Sequence, residues 1–148
     1  MKNVLMLYAS MTGNTELMAD EMIKQLQENS VQPVVKTFAD DDIEVGELSN
    51  YDVIFIGVYT WADGELPLEA EDFFDELHTM DLTQKVCGVF GSADTSYEAY
   101  GTAVEIMHEE LEEAGAKLVS DGIIVDREPE EDELKRCMEM AREAIDMV

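Results

Sequence analysis

Basic residues are scarce in this sequence: nine Lys and Arg stand against 35 Asp and Glu, giving a formal net charge of −26 over 148 residues. Nucleic acids and anionic membrane surfaces would repel such a chain, which disfavours both as partners. The acidic residues are spread along the chain and not collected in one tail. The charge therefore has two interpretations, since it either confers solubility alone or steers basic protein partners to the surface.

Cysteine is also rare, with Cys87 inside "KVCGVFG" and Cys137 inside "LKRCMEM" as the two examples. Neither has the spacing of a CxxC motif or a metal site, which favours free thiols in a reducing compartment. The sequence shows no signal peptide, transit peptide or apolar stretch long enough to cross a membrane. We therefore expect a cytoplasmic protein that does not insert into membranes.

Hydrophobic residues make up 46% of the chain, enough to bury a full core in one domain spanning residues 1–148. Five apolar runs have the length and composition of strands covered on one or both faces. The second run contains Pro33, which suits an edge strand, and the fifth is interrupted near Asp121–Gly122. The runs are Asn3–Tyr8, Gln32–Phe38, Tyr51–Tyr59, Lys85–Gly91 and Lys117–Asp126.

Helical patterns separate these runs. They cover Asn14–Glu28, a segment opening at Pro67, a segment ending at Gly115, and a segment after Pro129. We predict that Leu17 faces inward in the first helix, and that Leu134, Met138, Ala141 and Ile145 face inward in the last. Strands alternating with helices predict an α/β fold, a five-stranded parallel doubly wound sheet with helices on both faces. Ligands of such sheets bind outside the carboxyl ends of the strands.

The loop "SMTGNT", Ser10–Thr15, follows the first predicted strand and leads into a helix. It combines three hydroxyls, the Asn14 amide and Gly13 with the free N–H groups of a helix start. These donors can hold a phosphate without any formal positive charge. The absence of Lys and Arg distinguishes this loop from the familiar nucleotide-binding loops. The alternative interpretation is a polar strand-to-helix turn with a capping hydroxyl.

Two further loops at predicted carboxyl ends each carry an aromatic residue in a polar setting. Trp61 lies in "YTWADGELP" and Tyr97 lies in "SADTSYEAY". Trp61 has an alternative role, which is to cover a helix end. Two aromatic side chains beside one phosphate site indicate a flat ring held between them, with stacking worth roughly 1 kcal/mol per ring.

Over all five strands the sequence resembles the short-chain flavodoxins. "SMTGNT" follows the phosphate-loop pattern of that family, "TWADG" is similar to its tryptophan loop, and "SADTSYE" to its aspartate-to-tyrosine loop. The resemblance implies the flavodoxin-like strand order 2-1-3-4-5 and non-covalently bound flavin mononucleotide (FMN). It also implies that the protein is an electron carrier and not an enzyme. Such a carrier passes one electron at a time at low potential.

The resemblance assigns roles by position. Side chains would hold the FMN phosphate at Ser10, Thr12, Asn14 and Thr15, with backbone contributions from Met11 and Gly13. Trp61 would cover the inner face of the ring and Tyr97 the outer face. Backbone groups near the polar edge of the ring would come from Ala62, Asp63, Ala93 and Asp94. The remaining cofactor-binding candidates of these loops are Thr60, Gly64, Ser92 and Glu98.

Two features of these loops bear on the redox properties. The family commonly places a glycine after its tryptophan, and Ala62 resists the positive φ that such a glycine adopts, at roughly 1 kcal/mol or more. We expect Asp63, Glu65, Asp94 and Glu98 to disfavour the negatively charged reduced ring. One carboxylate about 8 Å away contributes roughly 2 kcal/mol at an effective dielectric constant of about 20.

The resemblance also implies partners: an NADPH-dependent flavodoxin reductase upstream, and a haem monooxygenase, desaturase or similar acceptor downstream. The acidic surface favours basic-surfaced redox proteins in both roles. A carrier of this size is expected to be a monomer.

Three other classes are disfavoured by their missing residues. A phosphoryl-receiver module needs paired acids after the first strand and an aspartate after the third, where this chain has Ala9–Ser10 and Gly57–Val58. A phosphatase of similar topology needs a Cys nucleophile and an Arg in the first loop. An FMN-dependent NAD(P)H reductase of quinones or similar small molecules is the closest alternative. The lack of basic residues for the NADPH 2′-phosphate weighs against it.

Overall fold

The computed structural model describes residues 3–60, 65–95 and 100–148, and its strands form one parallel sheet. The strands are β1 (Val4–Tyr8), β2 (Val34–Thr37), β3 (Val53–Gly57), β4 (Val86–Ala93), β5 (Lys117–Leu118) and β6 (Ile123–Asp126). Their order is β2-β1-β3-β4, and both β5 and β6 pair with β4. The predicted order 2-1-3-4-5 is confirmed, with β5 and β6 sharing the fifth position.

The predicted interruption of the fifth strand is confirmed, and it lies where the chain passes close to the helix that contains Val104. β5 pairs with the start of β4 and β6 with its end, so the chain leaves the sheet between them. A Cβ added at Gly122 would lie 2.5 Å from Cγ1 of Val104, so the chain passes against the neighbouring helix here. A larger side chain at this point would require Val104 to shift.

The helices are α1 (Asn14–Glu28), α2 (Glu71–Glu76), α3 (Thr102–Glu113) and α4 (Glu131–Asp146). Short 3₁₀ helices cover Val45–Asn50, Leu68–Ala70 and Leu77–Thr79. The predicted helix after Pro67 is thus divided into a 3₁₀ turn, α2 and a second 3₁₀ turn. Gly115 has φ +98° just after α3, as predicted for a residue that ends a helix.

The core has two layers, one on each face of the sheet. In β1, Val4, Met6 and Tyr8 contribute to the layer under α1 and α4, whereas Leu5 and Leu7 contribute to the layer under α2 and α3. All five β1 residues are buried, as are all of β3 and β4. A strand covered on both faces needs apolar side chains at every position, which explains the continuous apolar runs.

The inward-facing prediction was wrong for Leu17 and partly right for α4. Leu17 is 45% exposed, because Met18 and Met22 occupy the buried side of α1. In α4, Ala141 is buried and Ile145 packs against the core as predicted, whereas Leu134 and Met138 are half-buried. The buried side of this helix also includes Cys137, Met140 and Ala144. Small side chains allow α4 to lie close to α1, and that packing decides which side of the helix faces inward.

Candidate functional site

The three loops that carry the predicted site residues leave the same edge of the sheet. β1, β3 and β4 are parallel neighbours, so their carboxyl ends coincide. Hydrogen bonds continue past the strand ends: Ala9 N–H donates to the Gly57 carbonyl at 2.9 Å, and Thr60 N–H donates to the Ser92 carbonyl at 3.0 Å. The first residues of each loop are therefore held in register by backbone bonds.

The first loop forms a cradle of hydrogen-bond donors at the start of α1. Gly13 has φ +91° and nothing lies within 4 Å of where its Cβ would be. None of the backbone N–H groups of residues 11–15 donates to another part of the described chain, whereas Glu16 N–H donates to Oγ of Ser10 at 3.2 Å. Thr12 is exposed, and Ser10 and Asn14 are half-buried. Free amides at the positive end of a helix are suited to an anion.

Thr15 and Ser92 lie deeper than the other predicted ligands and contact each other. Thr15 is fully buried, its Oγ1 lies 2.9 Å from Oγ of Ser92, and it accepts the Ser92 N–H at 3.2 Å. When Ser92 donates its hydroxyl proton to Thr15, Thr15 keeps one proton for a ligand. The pair links the start of α1 to the end of β4, a structural role that the sequence analysis did not include.

We expect the Thr15–Ser92 pair to contribute measurably to stability. Thr15→Val keeps the shape but leaves buried Ser92 groups without a partner, which should destabilise the fold by about 1–3 kcal/mol. Adding Ser92→Ala removes one of those groups. The loss in free energy of unfolding of the double variant should therefore be about 1 kcal/mol smaller than the sum of the losses of the two single variants. Urea unfolding of the four proteins tests this, and strictly additive effects would contradict the pairing.

The second loop is fastened at both of its ends. Trp61, Ala62, Asp63 and Gly64 lie outside the described residues, and their predicted roles stay predictions. Before them, Oγ1 of Thr60 accepts the N–H of Ala103 at 3.2 Å, near the start of α3. The Tyr59 hydroxyl donates to Oε1 of Glu69 at 2.6 Å. Burial and the neighbouring Glu69 carboxylate raise the pKa of Tyr59, so it stays a donor.

The third loop begins at Ala93, which is buried at the end of β4, followed by half-buried Asp94. Its predicted residues Tyr97 and Glu98 lie outside the described residues. The structure shows a further participant, Asp126 at the end of β6, whose carboxylate accepts the N–H of Thr95 at 3.1 Å and its hydroxyl at 3.0 Å. These hydrogen bonds hold the pKa of Asp126 below its usual range, although partial desolvation of the carboxylate acts in the opposite direction. The bond from the Thr95 backbone N–H has the largest effect.

A cation also lies at this end of the site. Nε of Arg127 is 3.6 Å from Oδ1 of Asp94 and 3.2 Å from Oδ1 of Asp126. Asp126 and Arg127 were not among the predicted site residues, although their place at the end of the last predicted strand indicated the same sheet edge. The guanidinium offsets part of the negative charge of Asp94, so we expect Asp94 to affect a bound ring less than an isolated carboxylate would.

Other reactive side chains of the described residues lie away from this edge or have partners. Cys87 and Cys137 are buried, and burial raises the pKa of each thiol to about 12. Nδ1 of His78 contacts Oε1 of Glu110 at 2.6 Å, and the ring of His108 contacts the Ser120 carbonyl at 2.9 Å. In the part of the chain that is described, no group of His, Cys, Asp and Glu suits a metal ion. No described helix is long and apolar enough to cross a bilayer.

Comparisons with known proteins agree with one another. A family model described as Flavodoxin matches residues 6–140. "Probable flavodoxin 2" of Bacillus subtilis is 37% identical over 97% of this chain and 94% of its own length, and "Flavodoxin" of Maridesulfovibrio salexigens is 34% identical over 90% and 92%. The crystal structure of oxidised Flavodoxin 1 from Bacillus cereus superposes with a TM-score of 0.93 at 39% identity, covering 99% of both chains.

Proposed function

Since this chain belongs to the flavodoxin family, we propose that it carries electrons one at a time, at low potential, on non-covalently bound FMN, between a reductase and acceptor enzymes. Proteins of this family are electron carriers rather than enzymes, and they use a flavin. The observation that carries the choice of FMN is the donor cradle of the first loop, which matches a phosphate end.

The residues present fit an FMN phosphate. A phosphate monoester is close to dianionic at neutral pH, because its second pKa is roughly 6. The loop supplies donors for it: the N–H groups of residues 11–15, which donate to no other part of the described chain, the hydroxyls of Ser10 and Thr12, and the amide of Asn14. At Gly13 the left-handed backbone and the open space beside it allow close approach of a ligand.

FMN supplies the redox chemistry when bound, and the chain supplies binding and environment. Residues 11–15 would hold the phosphate end at the α1 N-terminus, and residues of the second and third loops would contact the ring end. The Thr15–Ser92 pair and the Thr60–Ser92 backbone bond connect the starts of the three loops, so one edge of the sheet would position both ends of the cofactor. Excluding water there disfavours added negative charge on the ring.

The surface beside the site supports docking of basic redox partners. Met11 in the first loop is 55% exposed and Leu68, in the 3₁₀ helix after the second loop, is 72% exposed. The Tyr59–Glu69 hydrogen bond places that helix beside the carboxyl end of β3. Exposed Glu65, Glu69 and Glu71 surround Leu68 in sequence. An apolar contact with an acidic border would steer a basic partner and still release it quickly.

The absorption spectrum of the purified protein tests the cofactor assignment. We expect a yellow protein whose released cofactor has the mass of FMN. Release of riboflavin or FAD would contradict the phosphate cradle, and a colourless protein that fails to take up added FMN would contradict the proposed function.

Electron transfer to a basic acceptor should depend strongly on salt. For a reduced protein of this charge mixed with a basic c-type cytochrome, we expect the second-order rate to fall about tenfold or more between low and high ionic strength. Stopped-flow spectroscopy measures the rate, with a neutral quinone as the control acceptor. A rate to the cytochrome that is independent of salt would contradict steering. Rapid reduction of the protein by NADPH alone would instead favour the reductase alternative.

A further inference from the structure

The start of the third loop is attached to the end of β6 by several contacts. Both hydrogen bonds that Thr95 makes within the described chain go to the carboxylate of Asp126. Beside them, Arg127 N–H donates to the Ala93 carbonyl at 2.7 Å, and its guanidinium faces Asp94. Ala93, Asp94 and Thr95, where β4 ends and the loop begins, therefore each contact either Asp126, the last residue of β6, or Arg127 after it.

The register of β6 on β4 sets this arrangement. Ala93 is paired with Asp126 in the sheet, and the bond from Arg127 N–H to the Ala93 carbonyl is the next one of that parallel ladder. Beyond it the chain turns, since Arg127 has φ +60°, in the left-handed region that residues other than glycine seldom adopt. The strand register thus places the Asp126 carboxylate at the point where the third loop leaves the sheet.

We propose that Asp126 is a positioning residue for the ring end of the FMN site, acting through Thr95 on the third loop. The inference rests on the proposed function. The first loop holds the phosphate end and does not contact Asp126 in the described structure, so Asp126 should govern affinity for the ring and not for the phosphate. A carboxylate is suited to this role because one side chain accepts both the N–H and the hydroxyl of Thr95.

Binding of three ligands to the flavin-free full-length protein tests the proposal. FMN, riboflavin and inorganic phosphate are titrated into the wild type, Asp126→Ala and Asp126→Asn, with flavin fluorescence for the first two and calorimetry for phosphate. Asp126→Ala should weaken FMN and riboflavin by the same factor, about tenfold, and leave phosphate within about twofold of the wild type. Asp126→Asn keeps one acceptor oxygen and should give an intermediate loss.

Two further variants keep the test independent of folding problems. Thr95→Val removes the hydroxyl bond from the opposite partner and should weaken both flavins by about threefold. Asp146→Ala is the matched control, because it also removes a carboxylate but lies exposed at the end of α4, and Asp126 is retained. Its affinity for riboflavin should stay within about 1.5-fold of the wild type.

Several results would overturn the inference. Unchanged flavin affinity in Asp126→Ala would exclude a positioning role. An equal loss for both flavins and for inorganic phosphate, together with a lower melting temperature, would show that Asp126 supports the fold in general. A folded wild type that binds neither flavin would overturn the proposed function and this inference with it, whereas a binding wild type with an unaffected variant overturns the inference alone.

Discussion

Replacing Ser10 with aspartate should weaken FMN binding by about a thousandfold while leaving riboflavin binding nearly unchanged. Oγ of Ser10 accepts the Glu16 N–H at 3.2 Å, within the donor cradle of the first loop. A carboxylate there would face the ligand's dianion among the same amides. Two like unit charges 4 Å apart repel by about 4 kcal/mol at an effective dielectric constant of about 20.

The helix itself should tolerate this change. An aspartate accepts the Glu16 N–H as well as a serine does, and its charge is favourable at a helix N-terminus. The matched control is Ser10→Asn, which has nearly the same shape without the charge and should lower FMN affinity by about tenfold or less. Fluorescence titrations of both flavins with both variants measure the effect. Equal FMN affinities for the aspartate and asparagine variants would place the phosphate elsewhere.

Gly91→Ala should be the most damaging single-methyl substitution among the described glycines. An added Cβ would lie 1.7 Å from the carbonyl oxygen of Val58 and 2.9 Å from Cγ2 of Val104. The first neighbour is backbone and cannot rotate away, so β4 and the segment after β3 would have to separate. We expect a loss of about 3 kcal/mol or more, or roughly 10 °C in melting temperature.

Separation at Gly91 would also disturb the site. The neighbouring bond from Thr60 N–H to the Ser92 carbonyl holds the start of the second loop. We therefore expect Gly91→Ala to weaken flavin binding as well as to lower the melting temperature. Gly46→Ala is the control, since nothing lies within 4 Å of its Cβ position, and it should melt within about 2 °C of the wild type. A similar melting temperature for both variants would contradict the close contact.

The fold was largely predictable because its strands are buried on both faces. Continuous apolar runs identified β1, β3 and β4, and the polarity and Pro33 of the second run identified β2 as the edge strand. α1 has the predicted bounds, Asn14–Glu28, because a glycine at φ +91° precedes it and its apolar spacing is helical. The inward side of α4 was less predictable, because contact with α1, and not hydrophobicity alone, decides which residues are buried.

The sequence correctly predicted that the three candidate loops leave one edge of the sheet, but it did not show which partners their hydroxyls have. The pattern of the first loop predicted a phosphate cradle, and the backbone N–H groups of residues 11–15 donate to no other part of the described chain. Thr15, Ser92 and Thr60 were grouped with the cofactor ligands, whereas in the structure their hydroxyls bond to one another or to Ala103. A hydroxyl in a loop looks the same in sequence whether it faces a ligand or a neighbouring loop.

The order of apolar runs and turn residues was by itself sufficient to determine the parallel α/β sheet, the edge that carries the loops and the donor character of the first loop. These properties depend on local periodicity and on residue chemistry, which a sequence displays directly. Only the tertiary structure decided that Thr15 meets Ser92, 77 positions away, and that Asp126 meets Thr95, 31 positions away. Such pairs depend on strand register, which is set by the packing of the whole sheet and leaves no local trace in the chain.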